Sequence, residues 1–514
     1  MKRKSFPLSN HGHVLVSLLA MAGAGAIALG FSSWIWSWPL ALSTTDHEVV
    51  SLNINDAALV REPRLSASFA PVVERVAPSV VNVFSTKMVR NPFGRDMRPL
   101  FDDPFFRRFF GDGFNEESPR QTPPRMQKQQ SLGSGVIVSK DGHILTNNHV
   151  VDGADEIKVA LLGDKREFAA KVVGRDPKTD IAVLKIDAGD LPPLTLAASD
   201  KVAVGDVVLA VGNPFGIGQT VTMGIVSATR RGGMGIEEYE DFIQTDASIN
   251  PGNSGGALVD TDGRLVGICT AILSRSGGNM GVGFAVPLDL ARDVMEQILK
   301  KGRVVRGYLG VSIQDVTPEL RKEFAVPEGR GALVGGVTDG GSAAEAGLKS
   351  GDVIVEFGGK PVADSRALKL MVGATTPGTR VEVKALRDGK EKSFSATLRE
   401  MPETPEPAGY DGEEPAAEAL RGVALADIDD ETRRKFNLPS TLKGALISEI
   451  DADSVAFDAG LREGNVIQEI NREPVTDARE AAAAIRKVGG KRLVLLVWSA
   501  GGSRFVVVDE SKEK

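Results

Sequence analysis

From Arg306 onward the chain repeats itself, and no other feature limits its possible folds so tightly. RGYLGVSI at 306 is echoed by RGVALADI at 421, RGALV at 330 by KGALI at 443, AGLKSGDVI at 346 by AGLREGNVI at 459, and GGKPV at 358 by NREPV at 471. The offset stays near 113 to 115 residues. One module of roughly 90 residues therefore occurs twice, joined by MPETPEPAGYDGEEPAAE (401–418), whose proline and acid content reads as an extended linker. Two copies parted by such a linker cannot stack into a solenoid.

What precedes the repeat differs in kind. Residues 71–300 alternate short β-branched runs (VVNVFS, GVIVS, IKVALL, IAVLKI, VVLAVG) with glycine-rich turns, the pattern of an all-β barrel or sandwich region; residues 44–70 form a polar lead into it. At the N-terminus, Lys2, Arg3 and Lys4 precede the apolar run VLVSLLAMAGAGAIALGF (14–31), and no further Asp, Glu, Lys or Arg appears until Asp46. A basic start before such a run is an export signal, so residues 1–43 direct the chain out of the cytoplasm. Small residues at Ala41 and Ser43 suit cleavage. Eighteen apolar residues with Trp34, Trp36 and Trp38 beyond them equally suit an anchor over 14–38, and both readings stand.

Composition removes several functions. A net charge of -7 and a pI near 5.6 leave no basic face for a phosphate backbone, so nucleic acid is not an expected partner. The single cysteine, Cys269, cannot form an intrachain disulfide, and no C-x-x-C or H-E-x-x-H pattern offers a zinc site. Cys269 reads as a small buried hydrophobe, and neither metal nor organic cofactor is expected.

INPGNSGGALV (249–259) sets a serine among glycines before an apolar strand. It fits the loose G-x-S-x-G pattern, and it also fits an ordinary glycine turn. An α/β-hydrolase places its histidine after the serine, but the five histidines are His11, His13, His47, His143 and His149, all before Ser254. The order histidine, aspartate, serine remains open on a β-rich chain. His143 falls in the hairpin turn KDGH and reads as structural. His149 lies between apolar runs, where it is either a base at a cleft edge or a satisfied core histidine. Among the aspartates that follow, most sit in turns or beside other charges. Asp180 leads straight into IAVLKI, so its carboxylate is either drawn inside to meet a donor such as imidazole N–H or spent on a strand-start turn.

TNNHVV (146–151), DPKTDIAVLKI (176–186), GNPFG (212–216) and QTDASINPGNSGGALVDTDGRLVGI (244–268) resemble the HtrA (Deg, protease Do) family of envelope serine endoproteases, over roughly residues 70–510. The resemblance implies a mainly β chain: a trypsin-like double β-barrel over 71–300, a first PDZ domain over 301–400 and a second over 419–510, in the bacterial periplasm. It implies His149 as general base, Asp180 as its orienting carboxylate and Ser254 as nucleophile. The backbone N–H groups of Gly252, Asn253 and Ser254 would meet the oxyanion, and a side chain at 252 would restrict their turn. Ile272 and Leu273 would border the substrate pocket or fill a core strand. Tyr308, Leu309, Gly310 and Val311 would form the peptide-carboxylate loop of the first PDZ domain, and Val423, Ala424, Leu425 and Ala426 that of the second. The insert at 91–130, with Phe105, Phe106, Phe109 and Phe110 around Arg107 and Arg108, matches the family's long regulatory loop. The implied activity is cleavage of unfolded or damaged polypeptides by a trimer or a multiple of trimers, regulated by C-terminal peptides. The alternative is a chaperone or peptide-binding scaffold with minor proteolysis.

Overall fold

The structure is a computed structural model that describes residues 50, 52–55, 68–90, 126–164, 166–213, 219–250, 252–272, 279–327, 330–402, 418–488, 492–499 and 502–512. The leader at 1–43, most of the lead to 70, the insert at 91–125, Leu273 and most of the 401–418 linker lie outside the described residues. Among the described residues no helix is long and apolar enough to cross a membrane.

Helix α1 (Ala70–Val76) opens the first barrel, whose strands are β1 (Val80–Arg90), β2 (Met126–Ile137), β3 (His143–Thr146), β4 (Glu156–Ala160), β5 (Glu167–Asp176) and β6 (Ile181–Ile186). Between β3 and β4 lies the single turn α2 (Asn148–Val151). The sheet runs β1-β2-β3-β6-β5-β4 and closes because β1 pairs β4 as well as β2, Phe84 standing opposite Lys158. The second barrel holds β7 (Val207–Gly212), β8 (Thr220–Arg231), β9 (Phe242–Thr245), β10 (Ala257–Asp260), β11 (Leu265–Ile272) and β12 (Gly283–Pro287), in the closed order β10-β11-β12-β9-β8-β7. Every residue of β10 and β11 is buried, as continuous apolar runs demand. Val136, Leu145 and Val183 of one barrel pack with Val211, Ala257 and Ile268 of the other, so a single core runs through the seam.

Helix α3 (Leu288–Lys301) buries Leu288, Ala291, Val294, Met295 and Ile298, one face of a 3.6-residue period. It ends at Gly302, whose φ of 74° and N–H bond to Ile298 O make a left-handed cap. Gly174 of β5 passes close beneath it: a Cβ there would lie 2.5 Å from Ile298 Cγ2.

The first repeat module contains β13 (Gly307–Tyr308), β14 (Val311–Asp315), α4 (Pro318–Glu323), β15 (Ala332–Val337), α5 (Ser342–Ala346), β16 (Val353–Phe357), β17 (Lys360–Pro361), α6 (Ser365–Ala374), β18 (Arg380–Arg387), β19 (Lys390–Thr397) and β20 (Arg399–Glu400). The second contains β21 (Glu418–Leu420), β22 (Val423–Ala426), α7 (Asp430–Lys435), β23 (Ala445–Ile450), α8 (Val455–Asp458), β24 (Val466–Ile470), β25 (Glu473–Pro474), α9 (Ala478–Val488), β26 (Leu493–Ser499) and β27 (Gly502–Val508). Their start matches in a register that differs from the one expected. Val311 pairs Val337 while Val423 pairs Ile450. Gly310 (φ 78°) accepts from Thr338 N–H, and Gly422 (φ 71°) accepts from Asp451 N–H. Thr317 caps α4 and Asp429 caps α7. Aligning one Arg-Gly with the other is therefore misleading, since the backbone equates Gly310 with Gly422. Val423, Ala424, Leu425 and Ala426 are not a loop; they form β22 and match Val311–Gln314. The turn corresponding to Tyr308–Val311 is Leu420–Val423.

The first module is held to the barrels by a buried ion pair and to the second module by half-buried hydrogen bonds. Arg306 sets its guanidinium against the Asp176 carboxylate, with Nη1 2.9 Å from Oδ1, and stacks over the Tyr239 ring at 4.4 Å. Between the repeats, Ser312 Oγ donates to Ser503 O at 2.8 Å. Gln314 Nε2 donates to Phe505 O at 3.0 Å, and Gln314 Oε1 accepts from Phe505 N–H at 2.6 Å. The rings of Phe324 and Phe505 meet edge to face, 4.9 Å apart.

Candidate active site

Three segments meet at the seam between the barrels. Helix α2 follows β3 and carries His149; the turn before β6 carries Asp180; the turn before β10 carries Ser254. Asp180 is buried and holds a left-handed backbone (φ 57°), a conformation aspartate tolerates better than most side chains. It is retained there by its surroundings: Asp180 O accepts from Asn147 Nδ2 at 2.9 Å and from Asn148 N–H at 3.1 Å.

The Asp180 carboxylate grips His149 twice. His149 N–H donates to Oδ1 at 2.9 Å and His149 Nδ1 to Oδ2 at 2.8 Å. Because a carboxylate only accepts, the proton sits on Nδ1, and the lone pair of the neutral ring falls on Nε2. Such an imidazole can take a proton at Nε2 and be stabilised as the cation by the buried carboxylate.

Thr270, near the C-terminal end of β11, joins this pair to the serine. Its Oγ1 donates to Asp180 Oδ2 at 2.5 Å, and its carbonyl accepts from Ser254 Oγ at 3.2 Å. Asp180 and Ser254 are thus both bonded to one threonine, and His149 joins them through Asp180. In this resting arrangement the serine proton rests on Thr270 O.

The turn before β10 has glycine where close approach requires it. Gly252 has φ 99°, and a Cβ on Gly255 (φ 82°) would stand 2.1 Å from Ser134 O. Of the three amides expected to face an oxyanion, Asn253 N–H instead donates to Asn250 O at 2.9 Å. Gly252 and Ser254 N–H are the pair on either side of it. Ser134, on β2, holds the turn from the other barrel: its N–H donates to Ser254 O at 2.8 Å and its Oγ to Gly252 O at 2.7 Å.

The other expected residues are placed as follows. Ile272 ends β11 and is fully buried in the second barrel's core; Leu273 is outside the described residues. His143 is buried at the start of β3, with Nδ1 2.8 Å from Asp141 Oδ2 and 3.1 Å from Ser139 Oγ. Burial pushes the Cys269 thiol up to about 12, so it stays protonated and unreactive. Sequence reasoning passed over Thr270 and Ser134. The available signal for Thr270 was a lone hydroxyl inside the apolar run GICTAI, since a buried hydroxyl must find a partner.

Residues 133–268 match the model of a trypsin-like peptidase domain, residues 307–398 a PDZ domain and residues 413–498 a second PDZ domain. The chain is 41% identical over 445 residues to the "Probable periplasmic serine endoprotease DegP-like" of Marinomonas sp. (strain MWYL1), covering 85% of this chain and 92% of that one. It is 38% identical over 481 residues to the protein of the same name from Chlamydia muridarum, covering 91% and 92%. Among solved structures it is similar to the HtrA-type protease AlgW with decapeptide, at 50% identity and a TM-score of 0.53, over 66% of this chain and 100% of that one. A double barrel with a serine turn at its seam, two PDZ domains after it, and relatives at this identity over nearly their whole length lead to one conclusion: the chain belongs to the HtrA-type, DegP-like family of periplasmic serine endoproteases.

Proposed function

We propose that Ser254 is the nucleophile of this endoprotease, His149 its general base and Asp180 the carboxylate that orients the base, acting on unfolded or damaged polypeptides. The observation that carries this reading is the double grip of Asp180 on His149 beside a serine tied to the same threonine. For attack, the Ser254 hydroxyl turns from Thr270 O to His149 Nε2. The base takes its proton as Oγ bonds to the peptide carbonyl carbon, and the imidazolium then returns the proton to the leaving amine. Gly252 and Ser254 N–H receive the oxyanion, a contribution of about a hundred- to thousandfold per donor.

Peptide capture belongs to the first PDZ domain in this reading. The carbonyls of Tyr308, Leu309 and Gly310 accept in turn from Ser342 Oγ (3.4 Å), Ala343 N–H (2.8 Å) and Thr338 N–H (2.9 Å). In a planar trans peptide the N–H points away from the C=O, so the amides of Leu309, Gly310 and Val311 face the opposite side as a nest for a terminal carboxylate. Strand β14 beyond them is a sheet edge, ready for an added strand. The second domain is less open, because Leu420 pairs Val423 across its turn.

The test is cleavage of an unfolded model protein by the wild type and by Ser254→Ala, with and without a peptide ending in an apolar residue. Loss of the nucleophile should cost about a millionfold in kcat. Wild-type cleavage stimulated by the peptide is the expected result. Equal cleavage by both proteins would overturn the assignment, and suppression of aggregation without cleavage would favour the chaperone alternative.

A further inference from the structure

The geometry points to Ser134 as a positioning residue of the reaction: its hydroxyl clamps the Gly252–Asn253 peptide from the opposite barrel and so keeps the oxyanion donors converged. The inference rests on the assignment of Gly252 and Ser254 N–H as those donors. Ser134 lies on β2, in the first barrel, and is fully buried. Its Oγ accepts from Asn213 N–H at 2.9 Å and donates to Gly252 O at 2.7 Å. A backbone donor on one side and a backbone carbonyl on the other leave one hydrogen arrangement, so the hydroxyl proton is committed to Gly252 O.

The clamped plane lies between the two oxyanion donors. Its carbonyl end is held by Ser134 Oγ and its amide end by Asn250 O, 2.9 Å from Asn253 N. Gly252 enters the plane with φ 99°, and Ser254 leaves it with its own carbonyl bound by Ser134 N–H at 2.8 Å. Glycine at 252 is needed for that φ, but a glycine does not hold its own conformation. The constraint has to come from outside the turn. Ser134 supplies it through two bonds, one on each side of Asn253. It is itself fixed by Thr146 Oγ1, which donates to Ser134 O at 2.7 Å. Without the hydroxyl, the Gly252–Asn253 plane can rotate, and Gly252 N–H and Ser254 N–H no longer aim at one point. The loss would be felt where negative charge develops, in the transition state, and not in the binding of an intact peptide.

The experiment uses the purified full-length chain carrying Ser134→Ala, with Ser134→Cys as a near-isosteric variant that keeps a weaker donor and covers the case in which alanine does not fold. Three quantities are compared with wild type: kcat and KM on a peptide substrate, the affinity of a peptidyl valine boronic acid whose tetrahedral adduct places an oxygen in the oxyanion position, and the binding of the uncleaved peptide in a Ser254→Ala background. We expect kcat to fall about 10- to 100-fold with KM within about twofold, the boronate affinity to fall by a similar factor, uncleaved peptide binding to be unchanged, and cysteine to lie between alanine and serine. A folded variant with wild-type kcat, or a loss that appears equally in the binding of uncleaved peptide, overturns the inference. Activity surviving Ser254→Ala would instead overturn the nucleophile assignment on which it rests.

Discussion

In the mechanism proposed above, Thr270 supports both the orienting carboxylate and the nucleophile. Its hydroxyl gives the Asp180 carboxylate a donor at 2.5 Å in addition to the two from His149, and its carbonyl holds the resting serine. A bond from a neutral donor to a buried carboxylate is worth about 1.5–3 kcal/mol, and in the proposed mechanism the imidazolium formed during attack depends on that carboxylate being held in place. Thr270→Val, which keeps the shape and removes the donor, should lower kcat/KM about 10- to 100-fold with the melting temperature only slightly reduced; an unchanged kcat/KM would show that His149 alone fixes Asp180. At this scale the sequence told part of the story. The order of histidine and serine excluded the hydrolase elbow, whereas the apolar run after Asp180 left a carboxylate drawn inside and a strand-start turn both open until the structure showed Asp180 buried. Thr270 and Ser134 were hidden because a hydroxyl in a strand looks alike whether it caps a neighbour's carbonyl or a carboxylate 90 residues away. Asn253 was misjudged for a related reason: a turn's composition gives its flexibility but not which of its amides is already bonded.

At the scale of elements, the turn from Asp176 to Asp180 and the loop around Tyr239 carry the contacts between the protease and the first PDZ domain. Arg366 Nη1 reaches Asp241 Oδ1 at 2.6 Å and also donates to Glu240 O at 3.3 Å. Burial nevertheless raises the pKa of Asp241 above the usual aspartate value, with the pair to Arg366 opposing it and failing to offset it. A carboxyl whose folded pKa is raised contributes stability that is fully present below its unfolded value, near 3.9, and is lost as pH rises through the folded value. The charged pair at neutral pH is therefore no net support for docking, in keeping with the cost of desolvating ions. Asp241→Asn should melt at the same or a higher temperature than wild type at pH 7, with the difference vanishing below about pH 4. A fall of several degrees at pH 7 would show that the pair is a net stabiliser. Elements also mark where reading the repeat failed. The offset of 113 holds through GALV and GALI, where a strand begins buried, and through AGL, a turn after a short helix anchored by the buried Leu348 and Leu461. At the domain start, a matching Arg-Gly outweighed the register that the positive φ of Gly310 and Gly422 imposes.

For the whole molecule, the contact between the PDZ domains decides whether they behave as two bodies or one. Strand β27 is the edge of the second domain's sheet, and its Phe505 N–H and C=O are both taken by the side-chain amide of Gln314, which acts as a short substitute for a neighbouring strand. Around this point Leu320, Phe324, Val326, Leu333 and Val353 of the first domain pack with Val494, Leu496 and Phe505 of the second. A Cβ on Gly335 would stand 2.0 Å from Ser503 O, so the two backbones could not approach this closely with any other residue there. A shared apolar core with its edge groups satisfied is the condition for cooperative unfolding, whereas tethered domains with a small polar interface melt separately. The PDZ pair of the intact chain should therefore give one calorimetric transition. Gln314 bonds across to the second domain, so Gln314→Ala removes the bridge without opening either fold, at about 0.5–1.5 kcal/mol for each hydrogen bond lost. That variant should split the transition in two or broaden it toward two, while peptide binding at the Tyr308–Val311 turn persists. Two separate transitions already present in the wild type would mean that the interface, however close its contacts, does not couple the domains.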